Sequence, residues 1–192
     1  MHTIVPQAQD QGNLVADSSE TTGLKWAAPA SGGGYTLLET LTLSGSSTTS
    51  STLSTSYKHL FVVVKNVYIS GNDNVAMRLN GDSATAYYAQ AIEIDNSSLS
   101  GKNETDGRFY IIDSGNNSAA VNNCYGTIFI PRYTDTSSVV QIQTIFSGYI
   151  VGNKRSKIVW GFYDNSAAIT SITFLAGGQT FSAGTAYIYG VS

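Results

Sequence analysis

A chain of 192 residues with a single cysteine, 12% charged residues and a formal net charge of −3 has the length for one core and a short extension. Sparse charge excludes the clustered Lys and Arg that nucleic acid demands, one cysteine excludes an internal disulfide, and no stretch approaches the ~20 apolar residues of a membrane helix. Ser and Thr supply 45 positions, so the polar surface is built from hydroxyls and amides where an average chain, with roughly a quarter of its residues charged, uses ions.

Residues 1–34 keep no sustained period of 2 or 3.6 and end in Pro29-Ala30-Ser31-Gly32-Gly33-Gly34, the composition of a flexible joint. They read as an extended N-terminal arm and hinge, followed by one domain over residues 35–192. The start MHTIVPQAQDQ has neither the basic opening nor the apolar run of a signal peptide. Leu14, Val15, Leu24 and Trp26 are apolar residues on this arm, and a Trp on a tail calls for a surface to dock on. That surface is either a partner or the chain's own domain.

Tyr35 to Leu43 alternates closely enough for a half-buried strand, and the Ser/Thr tract from Ser44 to Ser56 is left open between strand and loop. His59 to Val67, HLFVVVKNV, is a continuous β-branched run, the pattern of a central strand covered on both faces. Val75, Met77 and Leu79 share a face ahead of an Asn80-Gly81-Asp82 turn. Tyr87–Asp95 and Arg108–Asp113 are extended, with polar loops expected over residues 96–107 and 114–123. Cys124–Ile130 and Val139–Ile145 bracket Pro131, which marks a strand end or edge, and Lys157–Phe162 follows. Ile169–Leu175 and Thr185–Val191, joined through Gly177, Gly178 and Gly184, read as a closing hairpin of two neighbouring strands, with Ile169, Ile172, Phe174 and Ile188 in the core. About nine or ten short strands with no helical periodicity predict an all-β antiparallel sandwich or jelly roll.

Chemistry-bearing residues are few. His2 lies on the arm and His59 opens a buried strand, where it reads as a structural histidine. Cys124 heads an apolar strand and reads as a small buried residue. Glu93 and Asp95 face the same way on one strand, and Glu104 with Asp106 repeats the spacing in a loop; solvated acids are the default for both pairs, with a glycosidase pair or a Ca²⁺ site as the sharper alternatives, the latter short of the six to eight oxygens calcium takes. Lys154-Arg155-Ser156-Lys157 reads as a charged turn blunting a strand edge. No catalytic, cofactor or metal residue is assigned. The 12 tyrosines supply flat amphipathic surface suited to sugars or proteins. In Tyr87-Tyr88 neighbouring side chains point to opposite faces, so one of the two is exposed as a contact residue.

Leu14-Val15-Ala16-Asp17-Ser18 through Thr22-Gly23-Leu24-Lys25-Trp26-Ala27-Ala28-Pro29, with the Gly-rich hinge after it, resembles the linker before the terminal domain of tailed-bacteriophage fibre and virion surface proteins. Leu79-Asn80-Gly81-Asp82, Ile130-Pro131-Arg132-Tyr133 and Phe181-Ser182-Ala183-Gly184 look like the β-sandwich domains of the same proteins. The resemblance implies a non-enzymatic virion structural protein that needs no cofactor, made in the host cytoplasm and displayed at the virion surface. It implies a homotrimer whose arm contacts other virion proteins and whose β-domain meets a host surface glycan or protein. The arm is short for a long shaft, so a short tail fibre or spike tip is the leading form. A capsid decoration protein or head fibre is the alternative, and a glycan-cleaving tailspike-type enzyme using Glu93 and Asp95 the rival.

Overall fold

The computed structural model of the protein describes residues 13–16, 18–27, 34–84, 86–116, 124–150 and 153–192. They fall in two compact units, Met1–Gly34 and Tyr35–Ser192. In the first, Asn13–Ala16 (β1) and Leu24–Ala27 (β2) pair antiparallel, with Leu14 opposite Trp26 and Val15 opposite Lys25. The segment read as an extended arm therefore contains a hairpin. Its four-residue strands are too short for a period to register, and its turn is set by Gly23, at φ +69°, whose N–H donates to the Glu20 carbonyl.

The second unit is an antiparallel two-sheet sandwich, as expected, and holds no helix among the described residues. Its strands are β3 (Tyr35–Thr42), β4 (Ser47–Thr49), β5 (His59–Ile69), β6 (Asn72–Leu79), β7 (Tyr87–Asp95), β8 (Ser98–Asp106), β9 (Phe109–Asn116), β10 (Cys124–Ile130), β11 (Val140–Ile150), β12 (Asn153–Tyr163), β13 (Ile172–Leu175) and β14 (Phe181–Val191). One sheet has eight strands in the order β3-β14-β5-β10-β11-β12-β7-β8, and the other four, β4-β13-β6-β9. Without the pairs β7-β8 and β11-β12, the orders β3-β14-β5-β10 and β4-β13-β6-β9 are those of an eight-stranded jelly roll. The two extra hairpins are insertions that lengthen only one of its sheets.

The core lies between the sheets and is built largely by alternation, with consecutive residues buried in the smaller sheet's β6, β9 and β13. Leu60, Val62 and Val64 point inward from β5, Ala186 and Ile188 from β14, Met77 and Leu79 from β6, and Ile172 and Phe174 from β13. Ile169, Ile172, Phe174 and Ile188, expected in the core, are all fully buried.

Four expectations change. First, the closing segment is not a hairpin: β13 pairs with β4 and β6, whereas β14 pairs with β3 and β5. The loop through Gly177, at φ +63°, instead carries the chain about 10 Å from one sheet to the other. Second, β5 is covered on one face only. Its inward residues are buried, while Phe61 and Val63 are half-buried on the outside. Third, much of the segment read as a polar loop over residues 96–107 is the edge strand β8, joined to β7 by a two-residue Asn96-Ser97 turn in which Asn96 takes φ +53°. It has no apolar alternation because it borders solvent, and its ladder to β7 holds it. Fourth, Lys154-Arg155-Ser156-Lys157 forms part of β12, inside the large sheet rather than at a turn. Of the second expected loop, residues 114–116 belong to β9 and 117–123 lie outside the described residues.

Phe174 has no exposed surface and sits where β13 is flanked by β4 and β6. Truncation to Ala leaves a cavity at the centre of the smaller sheet, so Phe174→Ala is expected to lower the unfolding free energy by about 3–5 kcal/mol, read from urea denaturation midpoints at constant slope.

Candidate functional site

Because β-strand side chains alternate, the open side of the eight-stranded sheet carries every second residue of each strand. On β7 these are Tyr88, Gln90, Ile92 and Ile94, and the ladder places them beside Phe162, Trp160, Ile158 and Ser156 of β12. Gln141, Gln143 and Ile145 of β11 continue the rows on one side, Thr105 and Asn103 of β8 on the other. Two rows cross four strands. One reads Asn103, Gln90, Trp160, Gln143; the next reads Thr105, Tyr88, Phe162, Gln141. None of the eight is an Asp, Glu, Lys, Arg or His.

These rows line a trough of about 550 Å3. Trp160 is 48% exposed and Phe162 45%, and the Tyr88 and Phe162 rings lie tilted at 5.8 Å. Large aromatic surfaces open to solvent are costly, and their concentration in one concavity marks a contact surface. The aromatic face continues along the sheet through Phe129, Phe61, Tyr189 and Tyr35, with Tyr35 packed edge-on to Phe61 and to Tyr189.

Beneath the trough the same strands are pinned from inside. Tyr87 and Tyr163, the inward neighbours of Tyr88 and Phe162, stack at 4.9 Å. The Tyr163 hydroxyl donates to Asp82 at 2.7 Å. The Tyr87 hydroxyl accepts from the Leu79 N–H at 2.9 Å, and burial pushes its pKa up to about 12. Asp82 also accepts from the Ala84 N–H at 2.8 Å; the Tyr163 hydroxyl, then that N–H, hold its carboxyl below the ordinary carboxylate range. Gly161 lies between Trp160 and Phe162, where a Cβ would run into the Tyr88 carbonyl and the Phe109 ring. The close approach of β12 to β7 and β9 therefore depends on that glycine.

Of the expected contact pair, Tyr88 is at the site and Tyr87 is not: Tyr87 is 1% exposed, committed to the Tyr163 stack. Leu14 and Leu24 are exposed on the β1-β2 hairpin, in which Val15 and Trp26 hold the register positions given above; the side chains of Val15 and Trp26 lie outside the described ones. Glu93 and Asp95 do face one way, inward, but Arg155 bridges them. Its guanidinium lies 2.8 Å from Asp95 and 3.7 Å from Glu93, and Lys102 approaches Glu93 at 2.6 Å. Lys157, 4% exposed, pairs with Glu104 at 3.0 Å, and Asp106 accepts from the Tyr110 hydroxyl. The acids read as solvated are thus members of a partly buried ion-pair network, and the basic cluster read as a turn supplies two of its cations, Arg155 and Lys157. His59 is structural: its Nδ1 accepts from the Arg132 N–H at 3.0 Å, in the turn after β10. Burial raises the Cys124 thiol to about 12.

Sequence reasoning missed Gln90, Gln141, Gln143, Trp160 and Phe162. The signal was present in Trp160-Gly161-Phe162, two aromatics at period two around a glycine, but which face they occupy depends on the sheet. Among the described residues no group of three or more His, Cys, Asp or Glu is placed to hold a metal.

No protein-family model matches the chain, and no curated protein does. Among solved structures the chain is similar to an exo-inulinase from Aspergillus awamori, at 14% identity and a TM-score of 0.35, over 94% of this chain and 34% of that one. The chain thus spans about a third of the length of that enzyme, and a likeness this distant carries no argument about activity.

The Asp82 arrangement has a pH consequence. A carboxyl held low in the folded protein stabilises it fully above the unfolded carboxylate range, near pH 4, and that contribution is lost as pH falls through the lowered folded value. Tyr163→Phe removes the principal cause while keeping the ring stack. The variant is expected to be less stable at pH 7 by about 1–2 kcal/mol, and its denaturation midpoint to fall less steeply than the parent's as the pH drops below about 4.

Proposed function

We propose that this chain is a non-enzymatic binding module at the surface of a tailed-bacteriophage particle, a short tail fibre or spike tip, and that it touches its target through the outer face of the eight-stranded sheet. The observation that carries the binding reading is that face. Rows of exposed aromatic and amide side chains, without charge, line a concavity on a rigid sheet, where a monomeric protein ordinarily presents charged residues. The virion setting rests on the resemblance of Leu14 to Pro29 and of the β-domain motifs to phage surface proteins. In this reading the hairpin β1-β2 is the anchor, seated on other virion proteins through Leu14, Val15, Leu24 and Trp26, and the chain acts as a homotrimer. Anchoring by one unit and contact by the other suits a structural component that projects from a particle.

Immunogold labelling with antibody to this chain is expected to mark the tail tip, and labelling spread over the head would identify a decoration protein instead. Particles assembled with Trp26→Ala are expected to carry a small fraction of the normal occupancy. Particles with Trp160→Ala are expected to carry normal occupancy but to adsorb poorly to host cells. Normal occupancy of Trp26→Ala particles would refute the anchor, and unimpaired adsorption by Trp160→Ala particles the contact face.

A further inference from the structure

Resting on the reading of the sheet face as a contact surface, we infer that the trough over β11, β12, β7 and β8 is a subsite for a neutral glycan, with Trp160 as its stacking platform and Gln90 and Gln143 as its hydroxyl readers. Three observations select this ligand class.

The first is charge. A polyanion such as a uronate or phosphate polymer calls for Lys or Arg at the contact, and a cationic ligand calls for carboxylates. Glu104 is the one charged residue among those lining the trough, and it is paired with the buried Lys157 at 3.0 Å on the inner side, as the neighbouring Arg155 is with Glu93 and Asp95. Alternation thus turns the ions beside the trough inside and leaves its two rows neutral.

The second is the pairing of group types. A sugar ring presents an apolar C–H face and a rim of hydroxyls that both donate and accept. A half-exposed indole offers the flat apolar partner. A primary amide is the uncharged side chain with both donors and an acceptor on one rigid plane. The ladder places Gln90 on one side of Trp160 and Gln143 on the other, and among the described residues neither amide has a hydrogen-bond partner within the chain. Platform and readers therefore alternate across the strands, about 5 Å apart, a spacing suited to one ring with its two hydroxyl edges.

The third is shape. A second copy of this chain, or a flat protein partner, would meet a convex or planar apolar centre. Here the aromatic centre is recessed, and its 550 Å3 lies in the range of small-molecule clefts, roughly 300–1,000 Å3. The row from Asn103 to Gln143 spans three strand spacings, about 14 Å, so more than one sugar residue is accommodated and the trough is open to a continuing chain.

The test is isothermal titration of the 192-residue chain with cellohexaose, maltohexaose and chitohexaose as neutral probes and polygalacturonate as the anionic one. The same titrations are run with Trp160→Ala and Gln143→Ala after their denaturation midpoints are confirmed near the parent's. At least one neutral hexasaccharide is expected to bind, and each substitution to weaken it by about tenfold or more. The inference is overturned if no neutral probe binds at millimolar concentration, if polygalacturonate binds in preference, if Trp160→Ala binds as the parent does, or if sedimentation shows a self-association that Trp160→Ala abolishes. Host-cell adsorption separates this inference from the reading beneath it. Loss of adsorption in Trp160→Ala without binding of any neutral probe removes the glycan and keeps the contact face, whereas adsorption unchanged by Trp160→Ala removes both.

Discussion

The structure depends on a mismatch of width. A strand inside a sheet must pair its backbone groups on both sides, and the hairpins β7-β8 and β11-β12 meet that requirement by adding to the open edge at β10. The large sheet thereby becomes about 34 Å wide while its partner stays near 14 Å, at about 4.8 Å per strand. Only part of its inner face can be covered by the smaller sheet. Under the jelly-roll half, inward positions are apolar, mostly Leu, Val, Ile and Phe with Met77 and Ala186 among them. Toward β8, past the edge at β9, the inward positions Lys102, Glu104 and Asp106 are charged, because there is no second sheet to bury apolar side chains against.

The same mismatch explains the outer face. Strands added beyond the covering sheet must be held by lateral hydrogen bonds and by side chains packing across neighbouring strands. The inward Tyr87-Tyr163 stack and the bridges from Arg155 and Lys157 do this from inside, tying β7, β8 and β12 to one another. With the ions used there, the outward positions carry aromatics and amides. The trough is therefore supported by the very residues that sequence motifs had made candidates for other roles: Tyr87 as an exposed contact, Glu93 and Asp95 as a glycosidase pair, the Lys-Arg cluster as a turn. A site on paired central strands with locked neighbours is more rigid than one on loops.

Much of the fold was legible because it rests on local chemistry. Alternation in Tyr87–Asp95, the Asn80-Gly81 turn and the apolar run of β13 point to their strands and turns without reference to anything distant. Where the sequence misled, a distant partner was responsible. Ile169–Leu175 and Thr185–Val191 are adjacent in the chain and each forms a strand, yet each found better partners more than 90 residues away, β13 in Arg78 and Thr49, β14 in Val62 and Glu39. The polar β8 had no pattern of its own to read, since an edge strand borrows its order from its neighbour.

The continuous run HLFVVVKNV is the sharpest case. A strand buried on both faces and a strand with one face buried and the other apolar but open have the same residues. Composition, alternation and turn chemistry by themselves determined an all-β sandwich with little charge, a distinct N-terminal segment, and a set of tyrosines in need of a purpose, because these follow from the geometry of a single strand. Which face each strand turned to solvent, and so which aromatics became a surface and which acids became ion pairs, was decided only when the sheets assembled, because a side chain's neighbours across a β-ladder are set by register with remote strands and by how far the covering sheet extends.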